Sequence, residues 1–463
     1  MNRSKLRSPN SGFRIPHSTL RTSRRELLRL GVAGVVGFSF SGWLESLADD
    51  TATHPARRRS CILLWMTGGP SQMDTFDLKP GHENGGPFKE TQSSVAGIRI
   101  SEHLPQLAQH MESLAIVRSM TSKEGDHGRA TYLLRTGYLQ QGPIRYPALG
   151  SLVAKELGSP ESELPNFVSV APNRLFNQAA YGPGFLGSQF APLVVGDALF
   201  GVQQPGQQGD FNLKVDDLSP PTGLDTKHAD DRLELWSWLE QDFLSRHATP
   251  SAVSHRTAYD RAVRMMRSEA AKAFQLDEEP AALRDAYGRN RFGQGCLMAR
   301  RLVERGVPFV EVTLTGVANN QALGWDTHAN NFDSVRRLSE VLDPAWSTLM
   351  EDLKSRGLLD STLVVWMGEF GRTPKINPNQ GRDHYPQAWS AVLAGGGIHG
   401  GQVIGRTTPD GMAVNDRPVS VPDLLATICV ALGIDPRKQN MSEVGRPIRI
   451  VDKDAQPIKE VLT

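Results

Sequence analysis

The chain alternates short, mainly apolar runs with longer stretches in which apolar residues recur every three or four positions. The apolar runs cover residues 61–66, 307–312, 362–367 and 389–394. The first run stops at Gly68-Gly69-Pro70. Continuous apolar runs closed by glycine and proline are typical of strands buried on both faces, so these four runs predict a parallel sheet.

The periodic stretches predict helices between and around these strands. They cover residues 227–247, 252–276, 332–356 and 422–432. Strands that alternate with helices predict an α/β fold, here a mainly parallel, doubly wound sheet flanked by helices, with a helical insertion at about 205–290. Ligands of such folds bind beyond the carboxyl ends of the strands, so the loops after the apolar runs are where a site is expected.

The first 48 residues have the features of an export signal. Residues 23–29, SRRELLR, resemble the twin-arginine motif, and the apolar run at 30–38 is far shorter than the roughly 20 residues of a membrane span. Ser46-Leu47-Ala48 offers small residues for signal peptidase. We therefore predict a signal peptide over 1–48, export by the twin-arginine translocase to the periplasm or cell envelope, and one domain over 49–463. The alternative is an uncleaved anchor.

Composition narrows the possible partners. Lys and Arg total 51 against 50 Asp and Glu, giving a net charge of +1, so a nucleic-acid partner is not expected. Cys61, Cys296 and Cys429 are far apart and form no CxxC pair, which argues against a zinc–thiolate site. They are expected to be small buried side chains, although an exported protein could pair two of them.

Metal-binding side chains are concentrated in three loops at the predicted ligand edge. Asp326 and His328 follow the second strand, Glu369 follows the third, and Asp383 and His384 precede the fourth. Carboxylates and imidazoles converging on one point can hold a divalent cation. The sequence therefore predicts a site for zinc, manganese or calcium.

Longer motifs resemble known families. Residues 357–371, GLLDSTLVVWMGEFG, are similar to a conserved segment of sulfatases and phosphodiesterases, and residues 104–107 and 129–138 follow the sulfatase pattern. This resemblance implies an alkaline-phosphatase-like fold and places Glu369 on a metal-binding position of that superfamily. Asp326, His328 and His384 likewise resemble its metal ligands.

A closer resemblance is to the exported bacterial family called domain of unknown function 1501. Its motifs are 68–74 GGPSQMD, 325–328 WDTH, 368–374 GEFGRTP and 381–384 GRDH. The activity of that family is not established, so this resemblance implies the fold and an exported protein but no reaction.

The chain departs from the enzymes of the superfamily at three positions. The first strand ends in Thr67 where those enzymes have aspartate, and the nearby carboxylate Asp74 is taken as a further candidate ligand. Gly125 occupies the position of the sulfatase nucleophile, which excludes a formylglycine sulfatase. Phe370 replaces a ligand of the second metal, and carbon cannot coordinate.

These observations leave two interpretations. In the first, the protein is a metal-dependent hydrolase of phosphate or sulfate esters, acting on a small anionic ester or on an envelope polysaccharide or lipid. The metal would make a nucleophile of bound water, or Ser71 or His127 would instead attack directly, and Arg129 or Arg372 would hold the anionic group. In the second, the fold is a non-catalytic binding or scaffold protein with a structural metal or none.

Each of these side chains also has an ordinary structural explanation. Ser71 could bond its own backbone, and His127 could cap the helix that begins near Arg129. Arg372 could form a structural pair with Glu369 or with a nearby carbonyl.

Overall fold

A computed structural model describes residues 59–140, 142–196, 213–215, 218, 226–247, 249–317 and 323–463. The predicted signal peptide and the first residues of the predicted helical insertion lie outside the described residues. Among the residues that the structure describes, none of the helices combines the length and apolar character needed to span a bilayer.

The helices are numbered in chain order within these ranges. The α-helices are α1 Gln72–Thr75, α2 His127–Thr136, α3 Leu149–Leu157, α4 Thr226–Arg246, α5 Pro250–Arg267, α6 Ala281–Ala286, α7 Arg291–Glu304, α8 Asn331–Ser355 and α9 Val421–Ala431. Short 3-10 helices are Glu83–Gly85, Leu107–Ser113, Gln178–Tyr181, Gly184–Leu186, Ser188–Phe190, Glu269–Phe274, Leu276–Glu278, Leu359–Ser361 and Lys459–Val461.

The strands are numbered in the same way. They are β1 Ser60–Met66, β2 Glu90–Gln92, β3 Arg99–Ser101, β4 Leu114–Thr121, β5 Phe167–Val170, β6 Leu193–Val195, β7 Phe309–Leu314, β8 Thr362–Met367, β9 Gly371–Arg372, β10 His384–Tyr385, β11 Trp389–Gly395, β12 Gln402–Ile404, β13 Arg406–Thr407, β14 Val414–Asp416, β15 Val419–Ser420, β16 Gln439–Met441 and β17 Pro447–Arg449.

The central sheet has the strand order β12-β4-β11-β8-β1-β7-β5-β6, with β15 also paired to β4. β1 pairs in parallel with β7 and β8, and β5 pairs in parallel with β6 and β7. β11 is antiparallel to both of its neighbours, β4 and β8. A mainly parallel sheet flanked by helices confirms the predicted fold class.

The apolar runs form the middle of this sheet because both of its faces are covered. Ile62, Leu64 and Met66 of β1 belong to the core that includes apolar residues of α7 and α8. Cys61 and Trp65, on the other face, belong to the core that includes residues of α2, α3 and α9. Cys61, Cys296 and Cys429 are all buried and unpaired, as expected for small apolar side chains.

Two predicted elements are shifted or shortened. β7 begins at Phe309, two residues later than the start of its apolar run. The helix expected over 252–276 ends at Arg267, because Ser268 adopts an extended conformation and its side chain caps the following 3-10 helix. Periodicity indicated the helix correctly but could not locate this local capping interaction.

The direction of β11 decides which loops can meet. β4, β8, β1, β7 and β5 all run the same way, so the loops that follow them lie at one edge of the sheet. Because β11 runs the opposite way, the loop that precedes it reaches this same edge. The loop after β8 and the loop before β11 are the same connection, so residues from five separate loops share one edge.

Candidate metal centre

One carboxylate oxygen at this edge is the meeting point of three imidazoles. Asp326 Oδ1 lies 3.2 Å from Nε2 of His127, 3.1 Å from Nε2 of His328 and 3.3 Å from Nε2 of His384. The ligand atoms of His127, Asp326 and His384 all lie within 4.8 Å of one another. The structure thus brings together residues that are more than 250 positions apart in the sequence.

The loop after β1 allows Asp326 to reach this position. Gly68 has φ 103°, and a Cβ at this residue would lie 2.4 Å from the backbone nitrogen of Asp326. The backbone nitrogen of Trp325 donates to the carbonyl of Thr67 over 2.8 Å. A glycine is therefore required where the two loops pack backbone against backbone.

His127 enters the centre from the start of α2. Asp126 is the N-cap of this helix, with its side chain accepting from the nitrogen of Arg129, so His127 is the first helical residue and does not serve as the cap. Its ring stacks on Phe176 with centroids 4.2 Å apart and planes at 7°. Phe370 packs nearby, with its ring centroid 4.9 Å from that of His127.

Each imidazole is held through its other nitrogen. Nδ1 of His127 lies 2.7 Å from Oε1 of Glu369, and Nδ1 of His328 lies 2.8 Å from Oδ1 of Asp383. Nδ1 of His384 lies 2.7 Å from the backbone carbonyl of Gly125. A carboxylate or carbonyl oxygen can only accept, so all three Nδ1 atoms carry the proton and the Nε2 atoms face Asp326.

This arrangement fits a divalent cation. Bonds of about 2.0–2.1 Å in a tetrahedral site place neighbouring ligand atoms about 3.3–3.4 Å apart, close to the spacing of Asp326 Oδ1 from the imidazole nitrogens. Nε2 of His328 and Nε2 of His384 are only 2.9 Å apart. Two lone pairs at this distance repel each other unless a proton or a cation lies between them, so the side chains suit a metal.

The charges around Asp326 favour a protonated His127 and an ionised Asp326. Burial lowers the pKa of His127, but its hydrogen bonds to Asp326 and Glu369 and the charges of these carboxylates raise it to about 9. Burial raises the pKa of Asp326, but hydrogen bonds from His127 and His384 and the charge of Arg372 bring it well below its usual range. Asp326 is therefore ionised at neutral pH, as a metal ligand must be.

Residues 58–462 match the family described as Protein of unknown function (DUF1501). The chain belongs to this family. The match covers the strands and loops that build the centre, including the segments with His127, Asp326 and His384. No curated protein matches the chain in sequence.

Solved structures of three proteins are similar at low identity. A protein in the alkaline phosphatase superfamily from Vibrio parahaemolyticus is 13% identical, with 82% of this chain and 67% of that chain covered and a TM-score of 0.38. The PsFucS1 sulfatase from Pseudoalteromonas sp. is 14% identical, with 89% and 72% covered and a TM-score of 0.40. The lipoteichoic acid synthase LtaP from Listeria monocytogenes is 10% identical, with 86% and 76% covered and a TM-score of 0.38. TM-scores this low transfer no ligand, substrate or reaction to this chain.

Arg372, a predicted anion-binding residue, is fully buried next to the centre. Its Nε donates to the carbonyl of Gly69 over 3.0 Å, and its Nη1 donates to the carbonyl of Arg382 over 3.3 Å. Nη2 donates to the carbonyl of Gly68 and to Oδ1 of Asp326. The structure therefore places Arg372 as a buried link between loops, in line with the carbonyl alternative, and every one of its nitrogens has a protein partner.

Asp74, a predicted metal ligand, is not brought to the centre. Both of its oxygens are bound by Arg382, at 2.7 and 3.2 Å, and Asn331 donates to it over 2.9 Å. Asp74 and Arg382 are both fully buried, so this pair neutralises the charge of the arginine. Asp74 thus supports the loop that carries His384, because its partner Arg382 lies two residues before that histidine.

Ser71 and Arg129 show no direct link to the centre. Ser71 is the N-cap residue of α1 and is buried, and its hydroxyl makes no hydrogen bond within the described part of the chain. Arg129 is 66% exposed and pairs with Glu124 over 2.7 Å. Their catalytic roles stay predictions.

Phe176 is a residue at the centre that the apolar runs did not indicate. It lies in the loop after β5, a strand of only four residues that was not among the predicted ones. The sequence FVSV followed by Ala171-Pro172-Asn173 is the signal that could have placed this loop at the same edge.

Proposed function

We propose that this protein is a metal-dependent hydrolase of phosphate or sulfate esters, with the metal held by His127, Asp326 and His384. The convergence of three imidazole Nε2 atoms on one carboxylate oxygen, each with its Nδ1 already bonded to an acceptor, is the observation that supports it. Three protein ligands with a further position open to solvent are the usual pattern of a catalytic zinc site. Zinc suits a site with imidazole ligands, manganese favours the carboxylate oxygen that this site also offers, and calcium prefers oxygen ligands throughout.

A divalent metal at this site supplies Lewis acidity, which withdraws charge from an ester oxygen. The side chains provide the rest of the chemistry. Glu369 fixes the tautomer and the orientation of His127, and the stacked ring of Phe176 excludes water from one side of it. Arg372 holds Asp326 in its ionised form.

His328 is the imidazole best placed to move a proton. Its side chain is 47% exposed, compared with 11% for His127, so it stands at the solvent side of the centre. Asp383 accepts from its Nδ1, which directs the lone pair of Nε2 toward the centre. An oriented, solvent-accessible imidazole is the common form of a general base in hydrolysis.

A second function is favoured by one contact. Arg372 Nη2 lies 2.6 Å from Asp326 Oδ1, so the carboxylate already has a buried cationic partner without any metal. In a scaffold or binding protein this ion-pair network would be purely structural.

Metal content and turnover separate the two functions. The mature protein, purified without chelator, is expected to contain about one zinc or manganese ion per chain and to hydrolyse an aryl phosphate or an aryl sulfate. Asp326→Ala should lose both the metal and the turnover. Protein that contains no metal, and whose thermal stability does not change in chelator, would establish the structural network instead.

We also propose that the protein is exported. The twin-arginine motif at residues 23–29 supports this, as does the short apolar run that follows it. Replacing both Arg24 and Arg25 by lysine should retain the full-length precursor in the cytoplasm, as measured by fractionation of the producing cells.

A further inference from the structure

The loop after β5 reaches the centre and contains polar groups that no protein atom satisfies. It leaves the strand at Ala171, whose φ of 50° is unusual for a residue other than glycine. It ends against α2, where Asn177 Nδ2 donates to the carbonyl of Gly128 over 3.1 Å. Phe176, in between, stacks on His127. The loop is therefore packed onto a proposed metal ligand.

Two consecutive residues of this loop have unused donors. Asn173 is buried, and its Nδ2 has no hydrogen-bond partner among the residues that the structure describes. The Nε of Arg174 is likewise buried without a partner there, and Arg174 forms no ion pair with any described carboxylate. Donors left unpaired in a partly buried position are unfavourable unless water or a ligand satisfies them.

Arg174 and Glu369 both act on the same buried tyrosine. The pKa of Tyr181 is raised, mainly by its burial, with Arg174 acting to lower it and Glu369 to raise it. One buried phenol thus senses both Arg174 and the carboxylate that holds His127.

The two arginines that the sequence predicts to bind the anion both have protein partners. Arg372 uses every nitrogen on backbone carbonyls and on Asp326. Arg129 is exposed and paired with Glu124. Arg174 lies two residues before Phe176, which stacks on His127, and its Nε is a buried donor without a partner in the part of the chain that the structure describes.

We propose that Arg174, assisted by the amide of Asn173, binds the anionic group of the substrate beside the metal. This inference rests on the proposed hydrolase function and adds a residue that determines the substrate. A guanidinium offers two parallel N–H groups to a tetrahedral oxyanion, and binding such a group would satisfy the free donors of the loop. The ligand is thus a phosphate or sulfate group that carries at least one full negative charge.

The test measures binding of inorganic phosphate, and separately of inorganic sulfate, to the metal-loaded full-length mature protein by calorimetry. Arg174→Gln is expected to weaken binding of the preferred anion by about 10- to 100-fold, the effect of losing a charge-assisted pair. Arg174→Lys, which keeps the charge but loses the fork, should show an intermediate loss. Arg437→Gln, altered at an exposed arginine that pairs with Asp435 over 3.0 Å, is the matched control and should bind as the wild type does.

Metal content, measured on the same samples, keeps the two proposals apart. Arg174→Gln that retains its metal but binds both anions as tightly as the wild type would overturn the role of Arg174, as would metal-loaded wild type that binds neither anion. Wild type without metal would overturn the proposed metal centre. If the metal-free wild type still bound an anion and Arg174→Gln abolished that binding, the anion site would still be supported. If Arg174→Gln does not fold, Arg174→Lys decides by the same criterion.

Discussion

Two carboxylate–histidine pairs flank Asp326, and they differ mainly in burial. In the first, Glu369 is 0% exposed and holds His127, which is itself enclosed by two phenylalanine rings. In the second, Asp383 is 54% exposed and holds the half-exposed His328. The hydrogen bonds are almost equal in length, at 2.7 and 2.8 Å.

Burial changes what such a pair can do. A charge–dipole interaction away from water is stronger because the local dielectric is lower, so Glu369 fixes His127 rigidly. Solvent screens the exposed pair more strongly, and its imidazole is accessible for proton exchange with water. The same two residue types therefore suit a metal ligand on one side of Asp326 and a proton acceptor on the other.

The largest expected effect comes from removing each histidine in turn. His127→Gln should lose the metal and, with it, all measurable turnover. His328→Gln should keep the metal and lower kcat by roughly 10²- to 10⁴-fold, the usual contribution of a general base. Elemental analysis and turnover of an aryl phosphate measure the two effects.

Loss of the metal from His328→Gln would make His328 a fourth ligand and remove the functional difference between the two pairs. The Arg129→Gln variant, altered at an exposed arginine two positions after His127, should keep its full metal content and serves as the control.

Much of this contrast could not be predicted from the sequence. The apolar runs identified β1, β7, β8 and β11, and the rule that ligands bind at the carboxyl ends of strands pointed to Asp326 and His384 correctly as neighbours. Residue spacing predicted Glu369 and Asp383 as metal ligands, whereas the structure shows each of them bonded to the Nδ1 atom of a histidine. Whether a carboxylate faces a cation or an imidazole depends on angles and distances that residue spacing does not encode.

The position of His127 in the centre depends on the topology of the central sheet. It reaches Asp326 only because β11 is inserted antiparallel between β4 and β8, which brings the loop after β4 to the same edge. No local pattern in the sequence reveals the direction of a strand in a sheet. Asp74, by contrast, looked like a ligand because it follows β1, but its burial against Arg382 removes it from the centre.

An effect of intermediate size is expected from the carboxylates of the two pairs. Glu369→Gln keeps an acceptor for His127 but removes the buried charge, and should weaken metal affinity by about 10- to 100-fold, the typical effect of losing a residue that orients a ligand. Asp383→Asn should leave the affinity within a few-fold of the wild type, because its partner His328 is proposed as a proton acceptor and not as a ligand, and because solvent screens Asp383. Competition titration with a chromophoric chelator gives both affinities.

Equal losses of affinity in Glu369→Gln and Asp383→Asn would show that burial does not distinguish the pairs. Thermal unfolding of each variant in excess chelator checks that a lost affinity does not reflect a misfolded chain.

The smallest expected effect is a loss of stability of the metal-free protein at alkaline pH, which arises from the buried pair. The pKa of His127 is raised to about 9 in the folded protein, above the value of about 6.5 for an unperturbed histidine. The folded state therefore binds the proton more tightly, and its contribution to stability is complete below about pH 6.5 and is lost as the pH rises through 9. The free energy of unfolding, measured with urea in excess chelator between pH 6 and 10, should decline over this range. His127→Gln should remove the part of the decline that comes from His127.

The Asp383→Asn variant should retain the decline. The hydrogen bond to His328 lowers the pKa of Asp383, so Asp383 titrates at acidic pH and not between pH 6 and 10. A decline that is unchanged in His127→Gln would mean that the proton is not held between Asp326 and Glu369, and the buried pair would then have no electrostatic advantage over the exposed one.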